Sequence, residues 1–154
     1  DTTAYTMIPL RGRLPGGRLL SGGRGTEPRA SGPARHCWID LYASDDDAAS
    51  FQHLSQPAPD TGYGGNPPTL TLLQDERLCL VYGYRNPPFA IHARLSSDGG
   101  QTWSEPITVR EGAGNHDLGY PRTVQRPDGK LVTVYYWNDH AQGERYIAAS
   151  VYTV

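Results

Sequence analysis

Trp137 and Asn138 adjoin at the end of an apolar run. An indole face there can stack on a sugar ring, and an amide can both donate to and accept from its hydroxyls. Other residue types able to do chemistry are present without the spacing it needs. His36, His53, His92, His116 and His140 show no H-x-x-x-H pattern, so no metal site is read from them and no cofactor is called for. Asp45-Asp46-Asp47 lacks the following glycine and the distal glutamate of a calcium loop and reads as a solvated turn. Cys37 and Cys79 are too few for a disulfide framework and read as two buried thiols.

The elements that must position such residues are marked by a turn. Ser96-Ser97-Asp98-Gly99-Gly100-Gln101-Thr102-Trp103 reads as S-x-D-x-G-x-x-W between two strand-like runs. Asp98 can accept from backbone N–H groups, Gly99 and Gly100 can take positive φ, and Trp103 can staple the turn to the next strand. These roles are structural and need no ligand. A worn copy, Ser44 to Phe51, lies 52 residues upstream. A second signal recurs at Leu14-Pro15-Gly16-Gly17-Arg18, Leu73-Gln74-Asp75-Glu76-Arg77 and Arg126-Pro127-Asp128-Gly129-Lys130, each a turn ahead of an apolar run. Its spacings of 59 and 53 residues suit one four-stranded propeller blade per repeat.

The sequence therefore predicts an all-β fold of about three β-propeller blades. The whole of 1–154 is a single partial propeller domain with blades at about 4–60, 61–111 and 112–154. Strands are expected at 5–9, 18–22 and 37–44; at 69–73, 78–84, 90–95 and 107–110; and at 122–125, 131–137 and 145–154. The Gly/Pro/Arg/Ser stretch 25–35 is expected to be a loop. Eighteen Gly and thirteen Pro fit many tight turns and no convincing helix. A net charge of −2 disfavours a nucleic-acid partner. No apolar run approaches the roughly 20 residues of a membrane-spanning helix, and no signal peptide is visible. The start at Asp1, without Met, suits a processed or truncated product.

With these turns, the segment from Asp117 to Gly129, together with Gly65-Asn66-Pro67-Pro68, Tyr82-Gly83-Tyr84-Arg85, Trp137-Asn138-Asp139 and Glu144 to Ala149, resembles the bacterial sialidase-like Asp-box (BNR) propellers. The resemblance implies half of a six-bladed ring, an axial site and hydrolysis of a glycosidic bond to an acidic sugar. It implies Tyr120 as nucleophile, because a neutral phenol escapes repulsion by the substrate carboxylate, with Asp117 assisting as base. It further implies Arg24, Arg85, Arg94 and Arg122 as candidates to hold that carboxylate through the planar guanidinium fork. Asn66, Trp137 and Asn138 complete the expected substrate-binding set. Pro67 stands where the family places its catalytic glutamate. A secreted or periplasmic setting is implied by the resemblance alone.

Three blades leave two sheet faces without neighbours. The chain is thus expected either to self-associate, two copies closing a ring by two-fold symmetry, or to be a fragment of a longer protein. Exchange of the 5–9 strand is a further way to supply the strand that the third unit lacks. Two readings of function follow: a sialidase-like glycoside hydrolase or a degenerate relative, and a non-catalytic carbohydrate- or protein-binding propeller module. A purely structural half-propeller is a third.

Overall fold

The computed structural model describes the backbone of residues 4–28 and 35–154, with side chains from residue 13 onward in those spans. Eleven strands form three antiparallel sheets among the described residues, with no helix. The first sheet is β1 (Ala4–Arg13), β2 (Leu19–Pro28), β3 (Arg35–Ser44) and β4 (Gln52–Ala58) in chain order. The second is β5 (Thr69–Leu72), β6 (Leu78–Tyr84), β7 (Ala90–Ser96) and β8 (Ile107–Glu111). The third is β9 (Gly119–Gln125), β10 (Leu131–Trp137) and β11 (Tyr146–Tyr152). They are β-propeller blades, with β5 lying against both β1 and β9 so that the first strand of each sheet turns inward.

Side-chain alternation explains the stacking. Along β10, Leu131, Thr133, Tyr135 and Trp137 are buried while Val134 is exposed, the period of two expected of a strand with one face packed. Leu131, Tyr135 and Trp137 meet Cys79, Val81, Ile91 and Ala93 of the second sheet. Ile39 meets Leu80 and Tyr82 across the first seam, and Leu20 and Leu41 meet Leu78. The second sheet is therefore covered on both faces, and β6 is apolar at nearly every position. The outer face of the third sheet is open: Val134 and Ile147 are 39% and 74% exposed, whereas Val81 and Ile91, in the same places on the second sheet, are 0% exposed.

Strictly antiparallel, up-and-down order sends alternate connections to opposite ends. Segments 14–18, 45–51, 73–77, 97–106 and 126–130 share one end; 59–68, 85–89, 112–118 and 138–145 share the other. The 97–106 turn is built as its sequence suggests. The Asp98 carboxylate accepts from the Gln101 and Thr102 N–H groups at 3.0 Å, and Ser96 Oγ accepts from Gly100 N–H at 2.9 Å. Trp103 Nε1 donates to Ser55 Oγ of the first sheet at 3.1 Å. The upstream copy repeats the bonds with Asp46, Ser50 and Ser44. It lacks the glycines, and Asp47 and Ala48 take φ of 57° and 73°, where Gly99 and Gly100 take 72° and 93°.

The structure corrects three sequence expectations. β2 runs on to Pro28, because Gly25 lets the Trp38 indole lie flat against its backbone; of the expected 25–35 loop, 29–34 lie outside the described residues. The first sheet has a fourth strand, β4, whose polar outward face hid it. The 5–9 segment pairs with β2 of its own sheet and does not complete the third.

Two predictions follow from the turns. Ala48→Gly relieves a left-handed alanine and raises stability by about 1 kcal/mol, or roughly 2–4 °C in Tm by calorimetry. Gly100→Ala lowers it, since a Cβ there meets Leu41 Cδ2 at 2.7 Å. Hydrogen bonds from the Thr102 and Ser50 side chains, first among several, hold the Asp98 and Asp46 carboxyls down to about 2. Their stabilisation is thus full above the unfolded carboxyl pKa of about 4 and is lost as pH falls through about 2. Asp46→Asn with Asp98→Asn should flatten the dependence of Tm on pH across that interval.

Candidate functional site

The end of the sheets opposite the aspartate turns brings 59–68, 85–89, 112–118 and 138–145 together around Arg85, just beyond the end of β6. Arg85 Nε donates to Leu118 O at 2.9 Å, Nη1 to Gly65 O at 3.0 Å and Nη2 to the Tyr136 hydroxyl at 2.8 Å. The Tyr136 hydroxyl in turn donates to Asp117 Oδ1 at 2.8 Å. Arg145 Nε donates to Asp117 Oδ2 at 2.8 Å. Below, Asn138 Nδ2 donates to Asp117 O at 2.8 Å and Asn138 Oδ1 accepts from Asn115 N–H at 3.0 Å, which fixes the 115–117 loop.

The protonation of this network follows from its contacts. The Tyr136 hydrogen bond, then Arg145 and Arg85, hold the Asp117 carboxyl below the ordinary carboxylate range against some desolvation. Burial first, then the hydrogen bond to Asp117, pushes the Tyr136 phenol up to about 12, opposed by Arg85. At neutral pH the site holds an ionised Asp117 and a protonated Tyr136 between two guanidiniums.

Aromatic rings stand in solvent beside it. Tyr120 is 51% exposed, its ring centroid 5.8 Å from that of Tyr136 and the Arg85 guanidinium 6.0 Å from its own. Tyr63 is 50% exposed and meets His116 edge-on at 4.6 Å. Tyr120 takes a left-handed φ of 51° after Gly119 at 123°. For a non-glycine residue this conformation is uncommon and clusters at functional sites. An anchored carboxylate beside exposed aromatic faces can bind a polyhydroxylated ring, through stacking and a few oriented polar groups.

Asp117, Tyr120 and Arg85 are thus brought together, and Arg24 reaches the same loop, its Nη1 donating to Gly64 O at 3.1 Å. Arg24 Nε is buried without a partner. Arg94 is directed to Tyr82 and Ser104, on the face of the second sheet that meets the first. Arg122 is exposed on the open face of the third sheet and donates to Pro121 O. Trp137 is a core residue at 1% exposure, with the Arg110 guanidinium 4.3 Å from its ring. Asn66 and Asn138 are each 0% exposed and hydrogen-bonded to backbone, so neither offers its amide to a ligand. Pro67 is buried behind the loop. Tyr136, Arg145 and Tyr63 belong to the site although the sequence reading passes over them. Strand parity carries a signal for the first: Trp137 shares the core face with Leu131 and Tyr135, so Tyr136 must face the other way. A cavity of about 360 Å³ beside Asp46 and His53 lies at the far end, where Asp45 is paired with Arg18 and Asp46 is held by its own turn.

No protein-family profile matches the chain, and no curated protein is similar to it. Solved structures are similar in fold. A Dyadobacter fermentans protein of unknown function is 26% identical, with a TM-score of 0.72, over 100% of this chain and 40% of that one. A Penicillium chrysogenum α-L-arabinanase complexed with arabinobiose is 20% identical, with a TM-score of 0.75, over 96% of this chain and 46% of that one. A Fusarium graminearum α-L-arabinofuranosidase, in complex with an iminosugar inhibitor, is 17% identical, with a TM-score of 0.69, over 97% and 44%. The chain spans less than half the length of these proteins. The likeness is one of propeller blades, and the enzymes among them are an α-L-arabinanase and an α-L-arabinofuranosidase, not sialidases.

The network itself is testable by NMR titration of the Asp117 carboxyl. Tyr136→Phe removes the leading cause of its lowered pKa, so the pKa should rise toward the ordinary value of about 3.9. Arg145→Ala should move it in the same direction.

Proposed function

We propose that this chain carries a glycosidase-like saccharide site for a neutral, arabinan-type sugar, with Tyr120 as stacking platform and Asp117 as the working carboxylate. The observation that supports this most is the fixed, ionised Asp117 next to the half-exposed Tyr120 ring. The pairing of two of the arginines supports a neutral ligand. Arg85 and Arg145 each spend three N–H groups on carbonyls, amide or carboxyl oxygens of the protein and on the Tyr136 hydroxyl. Two of the five N–H groups of each guanidinium remain for a ligand, fewer than a free arginine would offer the acidic sugar implied by the sialidase-like resemblance. The arabinose-containing ligands of the similar propellers point the same way.

In this reading Asp117 lies where positive charge develops on an oxocarbenium-like ring, or where a water is deprotonated. Tyr136, protonated and held between Arg85 and Asp117, keeps the carboxylate oriented; it occupies the place beside a base that the sequence reading gave to Tyr120. A second reading, binding without hydrolysis, is favoured by Pro67, which supplies no proton-transferring group where the resemblance expects a glutamate.

Calorimetric titration with arabino-oligosaccharides, with sialyllactose as the acidic control, tests the proposal. Arabinobiose should bind and sialyllactose should not. Tyr120→Ala should weaken binding by about tenfold, the scale of one lost aromatic stacking contact. If hydrolysis is present, Asp117→Asn should abolish it and retain binding. Binding by the unaltered chain with no hydrolysis selects the second reading. Preference for sialyllactose contradicts the neutral-sugar assignment.

A further inference from the structure

Asn66 is fully buried in the 59–68 loop, which crosses from the first sheet to the second. Its Nδ2 donates to Gly83 O at 3.0 Å, and its Oδ1 accepts from Gly83 N–H at 3.2 Å and from Tyr120 N–H at 3.4 Å. One side chain thus takes both backbone groups of a residue in β6 and the N–H of the residue whose ring forms the exposed platform. Every polar group of the amide except one N–H has a partner in this arrangement.

The two glycines that flank it are required to be glycines. A Cβ on Gly83 meets Asn66 Nδ2 at 2.7 Å, and a Cβ on Gly119 meets Asn66 Oδ1 at 2.5 Å. The amide is therefore clasped between bare backbone from adjacent sheets. The left-handed φ of Tyr120 is held from that side. Left to itself, a tyrosine gains by leaving this conformation. Something must over-determine it, and Asn66 is the polar group that reaches the Tyr120 N–H.

We infer that Asn66 is a positioning residue for saccharide binding: it touches no ligand, but sets the Gly119–Tyr120 turn and so the orientation of the Tyr120 ring beside Tyr136 and Asp117. The inference rests on the proposed saccharide site. It makes ligand affinity depend on the seam between the second and third sheets. Loss of a polar contact that serves only stability would lower Tm equally whether or not Tyr120 is present; loss of a positioning contact acts on affinity through Tyr120.

A double-mutant cycle separates these roles. Asn66→Leu, which keeps the volume and removes the hydrogen bonds, should weaken arabinobiose binding by about tenfold in the otherwise unaltered chain. In the Tyr120→Ala background the same change should weaken it less than about twofold. Equal losses in both backgrounds overturn the inference. Should Asn66→Leu fail to fold, Gly119→Ala displaces the turn from the other side and should show the same non-additivity. Amide hydrogen exchange without ligand tests the clamp alone: Asn66→Leu or Gly119→Ala should lower protection of the Tyr120 amide, and unchanged protection overturns the inference. If the unaltered chain binds no saccharide yet Tyr120 loses protection, the clamp stands and the saccharide reading falls.

Discussion

The seam between the second and third sheets is the constraint on which the rest depends. Cys79, Val81, Ile91 and Ala93 on one side and Leu131, Tyr135 and Trp137 on the other are buried to 2% exposure or less. Strand alternation then leaves no freedom: with Tyr135 and Trp137 committed to the core, Tyr136 must turn to the opposite face. There it meets Arg85 from just beyond β6 and Asp117 from the loop before β9. The catalytic-looking network is a consequence of how two sheets pack.

The same seam explains why the site can be charged and yet stable. Asp117 is half-exposed and has two charge-assisted or phenolic donors, and the two guanidiniums are largely satisfied by carbonyls at the loop ends. Burying such groups without partners would be destabilising, and pairing them offsets that cost. Tyr63 and Tyr120 flank these groups.

Much of the fold was legible in the sequence because its signals are local. Apolar runs after basic turns placed β6 and β10 at both ends, and the aspartate turns and their glycines marked where the chain reverses. β4 was missed because an outer strand with a polar face carries no apolar alternation, and β9 was read three residues short because Gly119 and Pro121 look like turn residues. Arg85, Asp117 and Tyr120 were found through motif resemblance, and they do converge. Trp137 and Asn138 were chosen by residue type, and Asn66 by its place in a resembling motif. Residue type does not reveal face, and these three proved to be the walls of the site rather than its surface. Arg145 and Tyr63 join only through loop packing across sheets, a long-range fact that spacing along the chain does not encode.

The most direct test of the central claim is a crystal structure of the chain with arabinobiose. The account predicts a sugar ring stacked on Tyr120, with a hydroxyl or the anomeric carbon within reach of the Asp117 carboxylate and with Asn66 buried beneath. Arabinobiose bound instead in the cavity beside Asp46 and His53, or absent from the Tyr120 face at saturating concentration, would contradict it.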